Sequence, residues 1–187
     1  MKKKRKLRPQ NWRSPWRLVL ALALRHTGQR YFDLDPAAEG ANAKAKYYFD
    51  RSANGLRQPW CAAAVYCNPP WWRPGPWTKK AVSEVRAGRA VVVVMVLPYR
   101  PTAKWFLNLA WIGRRDVVIT RDEIEGRIPF EAPPGVEKST PREGAVVIVI
   151  RRRLVAGELG DRADTVPPIE PRPATVIAEA ARLEEAA

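Results

Sequence analysis

A run of apolar residues at Ala90–Pro98, AVVVVMVLP, constrains the fold more than any other part of this sequence. The run is far shorter than the roughly 20 residues that a membrane-spanning helix needs. It is rich in valine and apolar at every position, which is typical of a strand buried on both faces of a parallel sheet. Helices must then cover both sides of that sheet. The run therefore predicts an α/β fold with a central, mostly parallel sheet.

Strands and helices are predicted to alternate around this run. Further strands are predicted in RYFDLDP (30–36), CAAAVYC (61–67), DVVIT (116–120) and AVVIVIRRR (145–153). Helices are predicted in WRLVLALALRHTG (16–28), GPWTKKAVSEVRAG (75–88) and TAKWFLNLAW (102–111). Ser14 is predicted to be the N-cap of the first helix, with Pro15 at its first helical position. The segment AAEGANAKAKYYF (37–49) is predicted to be a loop or a helical turn, and NGL (54–56) a turn.

Composition divides the chain into four predicted parts. Residues 1–10 form a basic, disordered tail, and residues 11–153 form one domain. Residues 154–172 form a proline-rich linker. Residues 173–187 form a C-terminal helix with one apolar face, which either packs on the domain or binds a partner, including a second copy of the chain.

The net charge of the chain is +14, from 33 basic and 19 acidic residues. The excess extends beyond the KKKRKLR tail into the body of the domain. Such a charge favours a polyanionic partner, most simply nucleic acid, because binding releases counterions. The alternative is a basic protein whose charge only keeps it soluble.

Few residues of the metal-binding types are present. Cys61, Cys67 and His26 are the only cysteines and the only histidine, so no zinc site of the usual kind, and no other metal site, is predicted. Reduced thiols are typical of the cytoplasm, so a cytoplasmic protein is predicted. The approach to LVLALAL lacks the pattern of a secretory signal, and no membrane segment is predicted.

Polar and aromatic residues follow the predicted strands at the point where each strand ends. In open α/β sheets, ligands bind beyond the carboxyl ends of the strands. A candidate site is therefore predicted at three segments: Asp35-Pro36, Asn68-Pro69-Pro70-Trp71 and Pro98-Tyr99-Arg100. The alternatives are a Pro-Pro turn with tryptophans in the core, and an aspartate that only caps a turn.

The sequence resembles the phage-type DNA adenine methyltransferase family. The resemblance rests on WRSP, FDLDPAAEGANAK, YYF, NGL, YCNPPW, VLPYRPTAKWF and GRIPF, which occur in the family's order between roughly residues 12 and 151. It implies a Rossmann-like fold with helices on both faces of the sheet. It also implies that the cofactor is S-adenosylmethionine, which supplies the methyl group. It implies methylation of the 6-amino group of adenine in DNA, after the base leaves the duplex.

The resemblance also implies roles for individual residues. The Asn68 oxygen and the Pro69 carbonyl would accept hydrogens from the target amine, Pro70 would fix their direction, and Trp71 would stack on the flipped base. The residues implied for the cofactor are Trp12, Ser14, Pro15, Asp33, Asp35, Asn42, Asn54 and Asn68, with Asp35 on its ammonium group. Those implied for DNA are Trp72, Arg100, Lys104 and Arg127.

The sequence departs from the family pattern at three positions, one of which is Asn54, where the family often has an acidic residue. The usual Gly-x-Gly of the cofactor loop is missing and only Gly40 remains, and Ala103 occupies a threonine position.

Two alternatives to adenine methylation stay open. One is methyl transfer to another planar amine: the 4-amino group of cytosine, a base in RNA, or a glutamine amide. The other is an inactive DNA-binding module on a methyltransferase fold.

Overall fold

The computed structural model describes residues 12–112, 117–123, 128–131 and 144–153. Along the chain these residues form α1 (Trp16–Thr27), β1 (Phe32–Asp35), a 3-10 turn (Gly40–Asn42), β2 (Ala45–Tyr48), β3 (Ala62–Cys67), α2 (Pro74–Arg86), β4 (Ala90–Pro98), α3 (Lys104–Ile112), β5 (Val117–Glu123) and β6 (Ala145–Arg152). None of the helices in these ranges is long and apolar enough to cross a bilayer. Arg127 and the predicted tail, linker and C-terminal helix lie outside the described residues.

The strands form one sheet in the order β2-β1-β3-β4-β6-β5. Strands β2, β1, β3 and β4 pair in parallel. Strand β6 is antiparallel to both of its neighbours, β4 and β5. The predicted α/β fold with a mostly parallel central sheet is thereby confirmed. The apolar run forms β4, and it is buried at every position except Val91.

Helices cover both faces of the sheet. Successive residues of a strand point to opposite faces, so each central strand contributes side chains to both helix layers. Tyr66 and Val94 share one buried cluster with Leu22 of α1. The neighbouring Val65 and Val93 share the other cluster with residues of α2 and α3. Burial of each large aliphatic side chain contributes about 1.5–3 kcal/mol to the free energy of unfolding, so the packing on both faces stabilises the sheet.

Two local predictions were wrong. The segment 37–49 contains strand β2 as well as the 3-10 turn. Because β2 is a four-residue edge strand with no buried position, it lacks the apolar alternation that predicts a strand. The N-cap of α1 is Pro15 rather than Ser14, and no side chain caps this helix. The hydroxyl of Ser14 is instead used by the site described below.

A buried carboxylate fastens the amino ends of the two central parallel strands to α2. Glu84 is fully buried, and it accepts hydrogen bonds from the backbone N–H of Trp60 at 3.0 Å and from Arg89 at 2.6 and 2.9 Å. Lys80, one turn earlier on α2, lies 2.6 Å from it. These bonds hold the pKa of Glu84 at about 2 against the opposing effect of burial. Trp60 precedes β3 and Arg89 precedes β4, so this carboxylate helps to position both strands that lead to the site.

Candidate active site

The carboxyl ends of β1 and β3 lie side by side, since these strands are parallel and Leu34 pairs with Val65. Asp35, the last residue of β1, and Asn68, which follows β3, therefore lie at the same edge of the sheet. Two clefts open at this edge and share Ala37 and Glu39 in their walls. The edge is the place where ligands bind in open α/β sheets.

The side-chain amide of Asn68 is held by three neighbours. Its Nδ2 donates to the carbonyl oxygen of Trp12 at 2.7 Å and to the hydroxyl of Ser14 at 3.1 Å. Its Oδ1 accepts a hydrogen bond from the indole Nε1 of Trp71 at 3.0 Å. The Trp12 carbonyl can only accept a hydrogen bond, and the Trp71 indole N–H can only donate one. Both contacts therefore require the same orientation of the amide, with Nδ2 toward Trp12 and Oδ1 toward Trp71. Oδ1 faces Trp71 and keeps a second lone pair for a further donor.

The segment WRSP holds the Nδ2 side of the Asn68 amide. Ser14 is only 2% exposed, and its hydroxyl oxygen accepts the hydroxyl of Tyr66 as well as the Asn68 amide. Burial raises the pKa of Tyr66, which keeps this phenol protonated and able to donate. Ser14 is thus a positioning residue for Asn68. Trp12 lines a cleft, whereas Pro15 begins α1 and lines neither one.

The two adjacent tryptophans have different environments. Trp71 is half-buried, and its ring meets Phe130 edge to face at a centroid distance of 5.2 Å. Trp72 is 60% exposed. Phe130 belongs to GRIPF, and the backbone of the next residue, Glu131, pairs with Arg13. Sequence reasoning chose Arg127 from this motif and missed Phe130, although an aromatic residue in a family motif was an available signal.

Asp35 is buried inside the loop that follows β1. Its carboxylate accepts the backbone N–H groups of Ala37 at 3.2 Å and Lys44 at 3.1 Å, and only 4% of the residue is exposed. Burial raises the pKa of Asp35 to about 7, against the opposing effects of these hydrogen bonds and of Lys44. The clefts are walled by the residues that follow Asp35 rather than by Asp35 itself. The carboxylate thus shapes the loop between residues 37 and 44.

Asp33 has a comparable structural contact. Its carboxylate accepts the backbone N–H of Ala64 at 2.8 Å, which ties β1 to β3. Asp33 lines neither cleft. The two aspartates of FDLD therefore organise the edge of the sheet, and the residues that line the clefts lie elsewhere in the chain, most of them after Asp35.

The narrow cleft leads to Asn68. Its volume is about 20 Å³, and its walls include Trp12, Glu39, Asn42, Asn68, Pro69 and Trp71. This volume has room for one group of about the size of a water molecule. Asn42 is one of these residues, and its Oδ1 is buried and receives no hydrogen bond within the described part of the chain. A small group that donates hydrogen bonds fits this cleft.

The wide cleft adjoins the narrow one. Its volume is about 270 Å³, close to the lower end of the roughly 300–1,000 Å³ typical of small-molecule sites. Its walls include Glu39, Phe49, Asp50, Asn54, Pro70 and Trp77. Sequence reasoning named Asn54 but missed Glu39, Phe49, Asp50 and Trp77. The sequence signal for Asp50 is its position directly after YYF. Because the pattern does not predict strand β2 there, it gives no reason to expect an acidic residue at the end of a strand.

A tight turn forms one wall of the wide cleft. Asp50 Oδ1 accepts the hydroxyl of Ser52 at 2.6 Å and the N–H of Ala53 at 2.9 Å, and Asn54 takes a positive φ of 55°. The next residue, Gly55, lies so close to the β1 loop that a Cβ there would come within 1.9 Å of the Pro36 carbonyl oxygen. Only glycine allows this approach of two backbone segments.

Gly55→Ala is expected to weaken ligand binding in the wide cleft and to destabilise the fold by about 1–3 kcal/mol, since the added methyl group must displace backbone. Thermal unfolding and calorimetric titration with S-adenosylhomocysteine measure the two effects. Gly88→Ala is the control for a destabilising alanine away from the clefts: Gly88 has a positive φ of 69°, which alanine rarely adopts, but no atom lies within 4 Å of the place that its added methyl group would occupy. Equal behaviour of the two variants in the titration would show that the close approach to Pro36 is unimportant.

The remaining predicted residues lie beside the clefts. Arg100 follows β4 and is half-buried, and Lys104 is exposed at the first position of α3. Neither lines a cleft, nor does Trp72. Within the described ranges, no cluster of three or more histidine, cysteine or acidic side chains is arranged to hold a metal ion.

Comparison with known proteins identifies the family. The model of the family described as DNA N-6-adenine-methyltransferase (Dam) matches residues 2–168. A protein of Haemophilus phage HP1 (strain HP1c1), named DNA N-6-adenine-methyltransferase, is 30% identical over 123 residues, which cover 64% of this chain and 65% of the relative. A protein of Escherichia phage T1 with the same name is 26% identical over 159 residues, covering 79% and 65%.

The match to this chain thus spans 65% of the length of both curated relatives. The family match itself extends over most of the chain, and it includes every segment on which the resemblance was based. It also includes both strands whose ends carry Asp35 and Asn68. The chain therefore belongs to the DNA N-6-adenine-methyltransferase (Dam) family.

Proposed function

We propose that this chain transfers a methyl group from S-adenosylmethionine to the 6-amino group of adenine in DNA, on a Rossmann-like methyltransferase fold. One observation carries the proposal: an asparagine amide at the end of a central strand, oriented by Trp12, Ser14 and Trp71, with its oxygen at a cleft. The family's name and the names of the two phage relatives support the same activity.

The target amine is a poor nucleophile because its lone pair is delocalised into the aromatic ring. Two hydrogen-bond acceptors aimed at its hydrogens favour the pyramidal form, in which the lone pair is available. Asn68 Oδ1 supplies one acceptor, and the Pro69 carbonyl supplies the other. Because neighbouring groups already hold the Asn68 amide, little reorganisation is needed when the amine arrives.

The residues around the wide cleft fit a cationic cofactor. Glu39 and Asp50 bring negative charge to this cleft in a chain of net charge +14, and Arg51 offsets part of it. Asp50 is suited to hydroxyl groups, and the rings of Phe49 and Trp77 to a planar base. S-adenosylmethionine, when bound, supplies a methyl group activated by its positively charged sulfur. No histidine or metal is required of the protein for this chemistry.

The adenine must leave the duplex before its amine can reach the narrow cleft. Trp71 lines this cleft and is suited to stack on the base, a contact worth about 1–3 kcal/mol. Trp72 is exposed next to it, and Lys104 is exposed at the start of α3. The basic body of the protein supplies sequence-independent attraction to the phosphates.

The test is methyl transfer from labelled S-adenosylmethionine to double-stranded DNA, followed by mass spectrometry of the nucleosides. N6-methyladenosine in its deoxy form is expected. Label in 4-methylcytosine, or label only in RNA, would replace this substrate with one of the other planar amines. Salt-sensitive DNA binding without any cofactor uptake at millimolar concentration would instead indicate an inactive binding module.

Cofactor uptake is expected to release protons near neutral pH. The pKa of Asp35 is raised to about 7, and a cation held by the neighbouring cleft favours the charged carboxylate and so lowers that pKa. Affinity should therefore rise as the pH increases through 7. Calorimetry at pH 6.5 in buffers of different ionisation enthalpy measures the protons released. An identical heat in every buffer would contradict the prediction, and Asp35→Asn should remove the buffer dependence.

A further inference from the structure

We propose that Tyr66 is a positioning residue for methyl transfer: its hydroxyl orients the Ser14 hydroxyl, which in turn orients the side-chain amide of Asn68. The inference rests on the proposed function, since it adds a residue to that reaction. Tyr66 lines neither cleft. It therefore acts through Ser14 rather than on a ligand.

The direction of the free lone pair on Asn68 Oδ1 depends on three hydrogen bonds. The amide nitrogen donates to the Trp12 carbonyl at 2.7 Å and to the Ser14 hydroxyl at 3.1 Å. One lone pair of Oδ1 accepts the Trp71 indole N–H at 3.0 Å, and the other faces the amine in the proposed reaction. The bond to Ser14 is the longest of the three. It is therefore the bond that depends most on how its acceptor is oriented.

The hydroxyl of a serine has no fixed direction of its own, because it rotates to suit its partners. The Ser14 side chain does not cap α1, and among the described residues its hydroxyl bonds to Tyr66 and Asn68. When Tyr66 donates to one lone pair of the Ser14 oxygen, the other lone pair stays directed at Asn68. Without that donor, the Ser14 hydroxyl is free to turn its own hydrogen toward the amide.

Tyr66 is itself held in a fixed place. It lies in the central strand β3, where it pairs with Val94 of β4. Only 1% of the residue is exposed, and its ring packs on Phe32 at a centroid distance of 5.4 Å. Burial raises the pKa of Tyr66, so the phenol stays protonated and donates at neutral pH. The sheet thus fixes the position of the donor that orients Ser14.

Packing alone does not explain the Tyr66 hydroxyl. A phenylalanine would fill the same space in the core, and a buried hydroxyl costs about 1–3 kcal/mol unless it is hydrogen-bonded. Among the described residues, the hydrogen-bond partner of this hydroxyl is Ser14, which is also buried. A polar pair in this place serves to orient the amide that lies next to it.

Tyr66→Phe tests the inference by removing one oxygen atom. We expect the rate of methyl transfer to fall about 10-fold; a misplacement of about 1 Å costs about 10²-fold, and here the bonds of Asn68 to Trp12 and Trp71 remain. The KM for DNA and the dissociation constant of S-adenosylhomocysteine should not change, because Tyr66 lines neither cleft. Single-turnover rates with saturating cofactor, steady-state kinetics and calorimetry measure these quantities.

A double-mutant cycle shows whether Tyr66 acts through Ser14. In the Ser14→Ala background, Tyr66→Phe should cause no further loss of rate. Thr27→Val is the matched control, since it also removes a hydroxyl bonded within the chain, to the Ala23 carbonyl at 2.7 Å. Thr27 lies at the other end of α1, about 20 Å from Ser14 along the helix. Its variant should transfer methyl groups at the rate of the wild type.

A readout without methyl transfer is the exchange of the Trp71 indole N–H with solvent, measured by NMR on isotope-labelled tryptophan. Trp71→Phe identifies the signal. Tyr66→Phe should speed this exchange, because the acceptor on Asn68 becomes mobile.

Three results would overturn the inference. One is an unchanged rate together with unchanged indole exchange in Tyr66→Phe, and another is a pair of losses that multiply in the double variant. The third is weaker binding of S-adenosylhomocysteine by Tyr66→Phe, because Ser14 would then serve the cofactor. Absence of methyl transfer by the wild type would instead contradict the proposed function, and the indole exchange would still test the orientation of Asn68.

Discussion

Replacement of Asn68 by alanine is expected to lower the rate of methyl transfer about 10²- to 10³-fold, the usual effect of removing one preorganised polar group from an active site. The variant loses the Oδ1 acceptor for the target amine. It also leaves the Trp12 carbonyl and the Trp71 indole without their shared partner. Initial rates with saturating cofactor and DNA measure the effect. A loss of less than tenfold would show that Asn68 does not hold the amine.

Asn68→Asp is the sharper companion variant, because aspartate has nearly the same shape as asparagine and keeps an acceptor oxygen. Here the second oxygen would face the carbonyl of Trp12, where a donor is required. Asn68→Asp is therefore expected to lose much of the activity as well. Thermal unfolding and binding of S-adenosylhomocysteine serve as controls for folding. Full activity of Asn68→Asp would show that the contact with Trp12 does not orient the site.

Replacement of Glu84 by alanine is expected to produce the largest loss of stability. The variant removes the partner of two cations and of a backbone N–H from a fully buried position. Breaking such a buried pair typically costs about 3–5 kcal/mol, and because Arg89 is 39% exposed we expect a loss of about 3 kcal/mol. Urea unfolding at pH 7 measures it. Glu84→Gln keeps an acceptor for Trp60, so its loss should be smaller.

The effect should depend on pH with a definite sign. The pKa of Glu84 is lowered from 4.5 to about 2 in the folded chain, so its ionised form stabilises the fold above pH 4.5. That stabilisation is lost as the pH falls from about 4.5 to 2. The difference in unfolding free energy between the wild type and Glu84→Gln should therefore shrink over this interval. A constant difference down to pH 2 would contradict the assignment.

Much of the fold was predictable, because its signals are local. The apolar run of β4 indicated burial on both faces, and Gly28 indicated the end of α1, where it takes a φ of 70°. Both signals follow from side-chain period and backbone sterics, which depend on neighbouring residues only. Strand β2 was missed because an exposed edge strand carries no such periodic signal.

The site was predictable as a set of segments but not as a set of contacts. The motif indicated Asn68 and Trp71 as candidates, the sequence itself determined the family, and the ends of the predicted strands indicated the edge of the sheet where the candidate site lies. The hydrogen bonds of Asn68 reach back more than 50 residues to Trp12 and Ser14. No spacing rule links such distant positions, so only the tertiary structure decided them.

The same division holds for the acidic residues. The sequence by itself determined that carboxylates follow β1 and YYF, and that the chain around them is strongly basic. Only the tertiary structure decided that Asp35 is turned inward onto two backbone N–H groups while Glu39 reaches both clefts. The physical reason is that burial depends on the whole fold. Two carboxylates four residues apart differ in burial because one is enclosed by its own loop and the other is not.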